Sequence, residues 1–329
     1  MHLLGFVIIS PEKYCVLSWR GKSYNPTIIS KCSVKLPIFV LNFASEGGFS
    51  GMRAEILPLK EIRTTRFHYM DPNPTGDPVL LLLHGLGADS TSWGYQIPVL
   101  MGANMRPISL DLPGFGKSIY HGRNWTIRTV ASETSDIVRS FISSTCTVVG
   151  ISMGGTIALQ LCLDYPEMVE RLVLVSTFAT LRPKYLHQWI YLISRFIKAN
   201  LRGVNAQAEM VAHRIFPSPE QELLRQALIQ QILQADPKVY VSAMRALGLF
   251  DVTKRLHEIS VPTLVISGRE DTTVPLENQS ELASKIMGAR QVIIPGGGHA
   301  IIVEQPDLFN QALLEFLTNK GGGSFSLKS

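Results

Sequence analysis

The sequence predicts an α/β protein: a mostly parallel central sheet with helices on both faces and a helical block inserted between two strands. Three observations predict it. From Val79 onward, short apolar runs alternate with segments of helical period, the pattern of repeated βα units. Runs such as VLLLL are apolar at every position, as expected of parallel strands covered on both faces. Residues 180–258 break the alternation and hold only helical patterns.

The elements follow in order. Residues 1–51 have no sustained helical period and end in SEGGFSG. Three readings stand: a poorly ordered extension, a targeting peptide, or upstream sequence from an early start codon. The first and third fit better, because MHLLGFVIIS has no Lys or Arg before its apolar run. The compact domain begins at Met52, with a strand over Thr64 to Tyr69. Next come the strand VLLLLHG, a helix near Ser92 to Met101, the strand RPISLDLPG, and an amphipathic helix from Ile127 to Phe141. TCTVVG is a strand, TIALQLCLDY a helix and RLVLVST a strand. The inserted block opens with RPKYLHQWIYLISRFIKANL, whose two adjacent apolar rows suit either packing or the roof of an apolar pocket. Further helices span Pro219 to Ala235 and Pro237 to Leu249. The alternation resumes with VPTLVISG, a helix from Pro275 to Met287, QVIIP and a helix from Glu304 to Thr318. The core is therefore 52–179 with 259–320, the insertion 180–258, and GGGSFSLKS (321–329) a flexible tail.

Composition excludes several functions. The chain has 329 residues, 46% hydrophobic and 17% charged, enough to bury a large core. Of the net charge of +5, residues 1–60 carry seven Lys or Arg against three Asp or Glu. The rest is close to neutral, which argues against a nucleic-acid partner. No apolar run reaches the roughly 18 residues of a membrane span, so no stable membrane insertion is expected. Cys15, Cys32, Cys146 and Cys162 form no CxxC or zinc-ligand pattern, and a cytoplasmic protein with reduced thiols is expected. DLPGFGKS ends like a phosphate-binding loop but has Asp111 where that motif needs glycine. Neither GLG nor GFG completes a dinucleotide fingerprint. No metal and no cofactor are expected.

Gly150-Ile151-Ser152-Met153-Gly154 stands where a strand meets a helix and matches G-x-S-x-G. Small residues on either side let strand and helix pass closely while the turn exposes the hydroxyl. Ser152 is the candidate nucleophile, and the Met153 N–H at the helix start is a candidate oxyanion donor. A serine hydroxyl needs a base. His299 follows QVIIP and Asp271 follows VPTLVISG, so both reach the sheet edge that carries Ser152. The order Ser152, Asp271, His299 is that of hydrolases with this turn. Glu270 is the rival acid; Asp271 is shorter and one residue deeper in its loop. HGLG after VLLLL offers the Leu86 N–H as second oxyanion donor, with His84 bracing the loop.

HGLG, DLPGFGKS, GISMGG, GREDTTVP and GGGHA, in this order, resemble the α/β-hydrolase superfamily over about residues 60–318. The resemblance makes the insertion a helical cap and supports Leu86 and Met153 as the oxyanion pair. Within the superfamily the chain is similar to capped small-molecule esterases, enol-lactonases and meta-cleavage-product hydrolases. The expected function is hydrolysis of small, mainly apolar carboxylic esters or lactones through an acyl-enzyme. Two alternatives stand: carbon–carbon bond hydrolysis of meta-cleavage products with the same triad, and a receptor-like protein that binds a ligand with little turnover.

Overall fold

A computed structural model describes residues 9–10, 13–20, 23–30, 60–62, 65–122, 124–142, 145–181 and 206–318. Most of segment 1–51, the first helix expected in the insertion and the tail 321–329 lie outside these residues. The chain divides into two units, Met1–Pro58 and Leu59–Ser329. The first holds an antiparallel sheet of β1 (Ile9–Ser10), β2 (Lys13–Arg20) and β3 (Ser23–Ser30).

The second unit opens with β4 (Lys60–Ile62), β5 (Thr65–Phe67) and β6 (Tyr69–Met70). The single strand expected over Thr64 to Tyr69 is thus two. His68 breaks it: its N–H donates to Ser118 Oγ at 2.9 Å and its carbonyl accepts from the Asp111 N–H at 3.0 Å. β5 then joins β4 and β9 (Ile119–Tyr120), while β6 joins the main sheet.

The main sheet adds β7 (Val79–Leu83), β8 (Arg106–Leu110), β10 (Cys146–Ile151), β11 (Val169–Val175), β12 (Thr263–Gly268) and β13 (Arg290–Ile294). These are the six strands expected from Val79 onward. Their order is β13-β12-β11-β10-β7-β8-β6, parallel except for β6. Alternate strand residues feed two separate cores. Leu81, Leu83, Val148, Leu172, Leu174 and Val265 face one layer of helices. Leu80, Leu82, Val149, Val173, Ile266 and Ile294 face the other.

The helices are α1 (Ile97–Gly102), α2 (Ile127–Arg139), α3 (Met153–Asp164), α4 (residues 206–215), α5 (Glu222–Gln234), α6 (Pro237–Leu249), α7 (Leu276–Lys285), α8 (Ile301–Glu304) and α9 (Pro306–Thr318). α2 and α3 pack in the first core, α1 and α9 in the second. Three helices start or break differently from the sequence expectation, and the one expected over Pro219 to Ala235 opens as a 3₁₀ turn, Pro219–Gln221, before α5. The segment 92–101 is a short 3₁₀ turn, Ser90–Trp93, capped by Asp89, and then α1, with Pro98 in its first turn. The last helix splits at Gln305, because a residue before proline is pushed out of the helical region.

Among the described residues, α4 to α6 belong to the insertion. It leaves after β11 and returns into β12, its neighbour in the sheet, and an antiparallel bridge between Thr180 and Asp251 closes its base. Its Ala208, Ile232, Val239, Tyr240 and Ala243 join the first core.

Candidate active site

The carboxyl ends of five neighbouring strands meet at one rim. Ser152 sits between β10 and α3 with φ 53° and ψ −113°, a conformation that only glycine adopts cheaply. Its surroundings hold it there. The Ser152 N–H donates to the Val175 carbonyl at 2.9 Å, and its own carbonyl accepts from Thr177 Oγ1 at 2.7 Å and the Thr156 N–H at 3.1 Å. The flanking glycines are a packing requirement. A Cβ on Gly154 would stand 2.1 Å from the Leu83 carbonyl oxygen, and one on Gly150 would stand 2.3 Å from that of Gly154. β7, β10 and α3 approach too closely for any side chain.

His299 follows β13 and Asp271 follows β12. His299 Nε2 lies 3.0 Å from Ser152 Oγ, and His299 Nδ1 lies 3.0 Å from Asp271 Oδ2. The carboxylate accepts, so Nδ1 carries the proton and Nε2 accepts from the serine hydroxyl. Both His299 and Asp271 are buried. Asp271 Oδ1 accepts from the Thr273 and Val274 N–H groups at 2.8 and 2.9 Å. Gln279 Nε2 reaches Asp271 Oδ2 at 3.1 Å and the Val274 carbonyl at 2.9 Å. Glu270, the rival acid, is exposed, and its N–H donates to the Gly297 carbonyl.

The loop after β7 lies beside the serine: a Cβ on Gly85 would be 3.7 Å from that of Ser152. Among the described residues, neither the Leu86 N–H nor the Met153 N–H has an acceptor. His84 is fully buried. Its Nε2 accepts from the Leu112 N–H at 2.9 Å, so its Nδ1 donates to the Gly85 carbonyl at 2.8 Å. Burial lowers its pKa, and the ring is a neutral brace for the loop. Asp111 supports the same loop. Burial alone would raise its carboxyl, but donors at His68 Nδ1, the Lys117 N–H and the Ser90 N–H hold it below its ordinary value. Asp89 is pushed up by burial and by Asp111 nearby.

The insertion reaches this loop directly. Gln231 Nε2 donates to Asp89 Oδ1 at 3.2 Å and approaches Thr91 Oγ1 at 3.1 Å. Gly87 has φ +78°, and a Cβ there would meet Ile232 Cγ1 at 2.5 Å and Tyr240 Cε2 at 3.1 Å. A second contact crosses to the histidine loop, where Gln221 Nε2 donates to Glu304 Oε1 at 3.1 Å. Burial raises the Glu304 carboxyl, against the Gln221 and Gly298 donors.

The structure thus brings Ser152, His299 and Asp271 into one hydrogen-bonded line; Met153 follows the serine directly, and Leu86 follows Gly85, which lies beside it. Sequence reading missed Gln279, Thr177 and Glu304. Gln279 left one signal, a polar residue at helical spacing from the buried Leu282 and Ile286. Thr177 and Glu304 left none, since each acts on a backbone group far away in sequence or across a turn.

Among the described residues no cluster of three His, Cys, Asp or Glu could hold a metal ion, and no helix is long and apolar enough to cross a membrane.

A family model described as the alpha/beta hydrolase fold matches residues 78–306. A relative from Variovorax paradoxus (strain S110), which carries the name carbamate hydrolase RutD, is 29% identical over 259 residues, 76% of this chain and 95% of its own. The enol-lactonase from Burkholderia xenovorans LB400 superposes with a TM-score of 0.71 at 26% identity, covering 80% of this chain and 100% of its own. A thermophilic esterase from Thermogutta terrifontis gives 0.69 at 26% identity, covering 80% and 98%.

Proposed function

The chain belongs to the α/β-hydrolase family, and from that premise we propose that it is a serine hydrolase of small, mainly apolar carboxylic esters or lactones, working through an acyl-enzyme. One observation carries the reading: the unbroken line Ser152 Oγ, His299 Nε2, His299 Nδ1, Asp271 Oδ2, with each gap at 3.0 Å. A hydroxyl on a strained turn, facing an imidazole held by a buried carboxylate, is an activated nucleophile.

The steps follow from the atoms. Ser152 Oγ attacks the acyl carbon while His299 Nε2 takes its proton. The carbonyl oxygen gains the charge and accepts from the Leu86 and Met153 N–H groups, both without an acceptor among the described residues. Asp271 stabilises the imidazolium and holds its orientation. The imidazolium then protonates the leaving alkoxide, which departs and leaves Ser152 acylated. Water attacks the acyl carbon, His299 takes the water's proton, and the acid leaves as Ser152 recovers its hydrogen. In a lactone the leaving oxygen stays tethered to the acyl chain.

The insertion is a cap in this reading, and its apolar side chains near Gly87 favour an apolar acyl group. Likeness to an enol-lactonase and to relatives named for carbamates supports testing both acyl types. The test is a panel of nitrophenyl esters of rising acyl length, with an enol-lactone and a carbamate, on wild type and Ser152→Ala. Wild-type turnover falling about 10⁴- to 10⁶-fold in the variant is the expected result. Equal rates in the two proteins would end the reading.

A further inference from the structure

His299 sits at the end of three successive glycines, Gly296, Gly297 and Gly298, and Gly296 has φ +68°. Such a turn does not hold a side chain in place by its own stiffness. A base must nevertheless stay within hydrogen-bond reach of its nucleophile. Something outside the turn has to fix it.

Glu304, at the end of α8, is placed to do so. Its Oε2 accepts from the Gly298 N–H at 3.0 Å, on the residue directly before the histidine. The fit is tight: a Cβ on Gly298 would stand 2.7 Å from Glu304 Oε1 and 2.9 Å from Oε2. The other oxygen, Oε1, accepts from Gln221 Nε2 in the insertion at 3.1 Å. Gln221 cannot turn away freely, because its Oε1 accepts from the Ser218 N–H at 3.1 Å in the capping box that opens its short 3₁₀ helix. One half-buried carboxylate therefore bridges the histidine turn and the insertion, whose Gln221 lies 83 residues before Glu304 in the chain.

We propose that Glu304 is a positioning residue that holds the His299 turn through Gly298 and links its placement to the seating of the cap through Gln221. This rests on the reading of Ser152 and His299 as nucleophile and base. A cap displaced from its seat pulls on the carboxylate that fixes the histidine, so cap closure and base alignment occur together.

The test needs no knowledge of the natural substrate. An alkyl fluorophosphonate phosphonylates a serine in proportion to its activation by the neighbouring base, and fluoride leaves as the phosphorus–oxygen bond forms. Wild type is expected to be labelled at Ser152, and Ser152→Ala not. Glu304→Ala is expected to be labelled about tenfold to a hundredfold more slowly while still folded by circular dichroism. Glu304→Gln keeps one acceptor for the Gly298 N–H but turns an amide toward the Gln221 donor. It should recover most of the rate and keep only the loss of the cap link. Gln221→Leu removes that same link from the other side, so the double variant should be no slower than either single one. If Glu304→Ala fails to fold, the Glu304→Gln and Gln221→Leu cycle decides alone. Wild-type labelling in folded Glu304→Ala, wild-type rates in both single variants of the cycle, or additive losses would overturn the proposal. Absent labelling of wild type, or equal labelling of Ser152→Ala, would instead remove the serine reading on which it stands.

Discussion

At the scale of single residues, the partners of His84 and Asp271 at this rim predict behaviour. His84 is the clearest case. Its Nε2 must accept from the Leu112 N–H, so protonation would set two donors against each other inside the core. Burial holds its folded pKa below the ordinary 6.5. The unfolded chain therefore takes up a proton first as pH falls. The stability tied to neutral His84 is complete above about pH 6.5 and is lost as acid carries the solution below it. His84→Gln, which keeps a donor and an acceptor, should show a flatter loss in urea unfolding between pH 7 and 5; identical slopes would refute the tautomer drawn here. Gln279→Leu takes one donor from Asp271 Oδ2, and we expect kcat to fall about tenfold with KM little changed. A change in KM alone would place Gln279 in binding instead. The three candidate catalytic residues were legible because a nucleophile turn, an acid and a base recur at strand ends in fixed order. Gln279 was less so: its partner lies eight residues back, on a loop whose path no residue pattern gives.

At the scale of elements, most core strands from Val79 were legible because they are buried on both faces and read as apolar text, and the partly buried β13 was legible from Val292, Ile293 and Ile294. The edges were not. Thr64 to Tyr69 reads as one strand, yet a hydrogen bond donated to Ser118 and one accepted from Asp111, both distant in sequence, divide it at His68. The last helix reads as continuous through Gln305, and Pro306 splits it. The join of β10 and α3 is the tightest packing at the site. Gly154→Ala sets a methyl 2.1 Å from a backbone oxygen that no rotamer change can move. It should cost about 3 kcal/mol in urea unfolding, the upper end for overpacking, and slow turnover with it. A loss below about 1 kcal/mol would mean that β7 and α3 separate more easily than their contacts imply.

At the scale of the whole molecule, Leu59–Ser329 is a unit in its own right and contains the family match and every residue of the candidate site. A chain trimmed to residues 59–329 should therefore unfold at the midpoint of the full chain, within about 2 °C. It should also keep its rate toward esters; a lower rate would assign Met1–Pro58 a part in the reaction. The helical insertion, within that unit, is built differently from the sheet around it. It departs and returns at adjacent strands, and Thr180 and Asp251 fasten its two ends together. An interchange of everything between those two residues would amount to an edit at one seam, and it would keep the reacting atoms in register where the new segment again supplied a donor to Glu304. Such a molecule can change its diet over evolutionary time without relearning its chemistry, and an engineer could graft a foreign head at the same point.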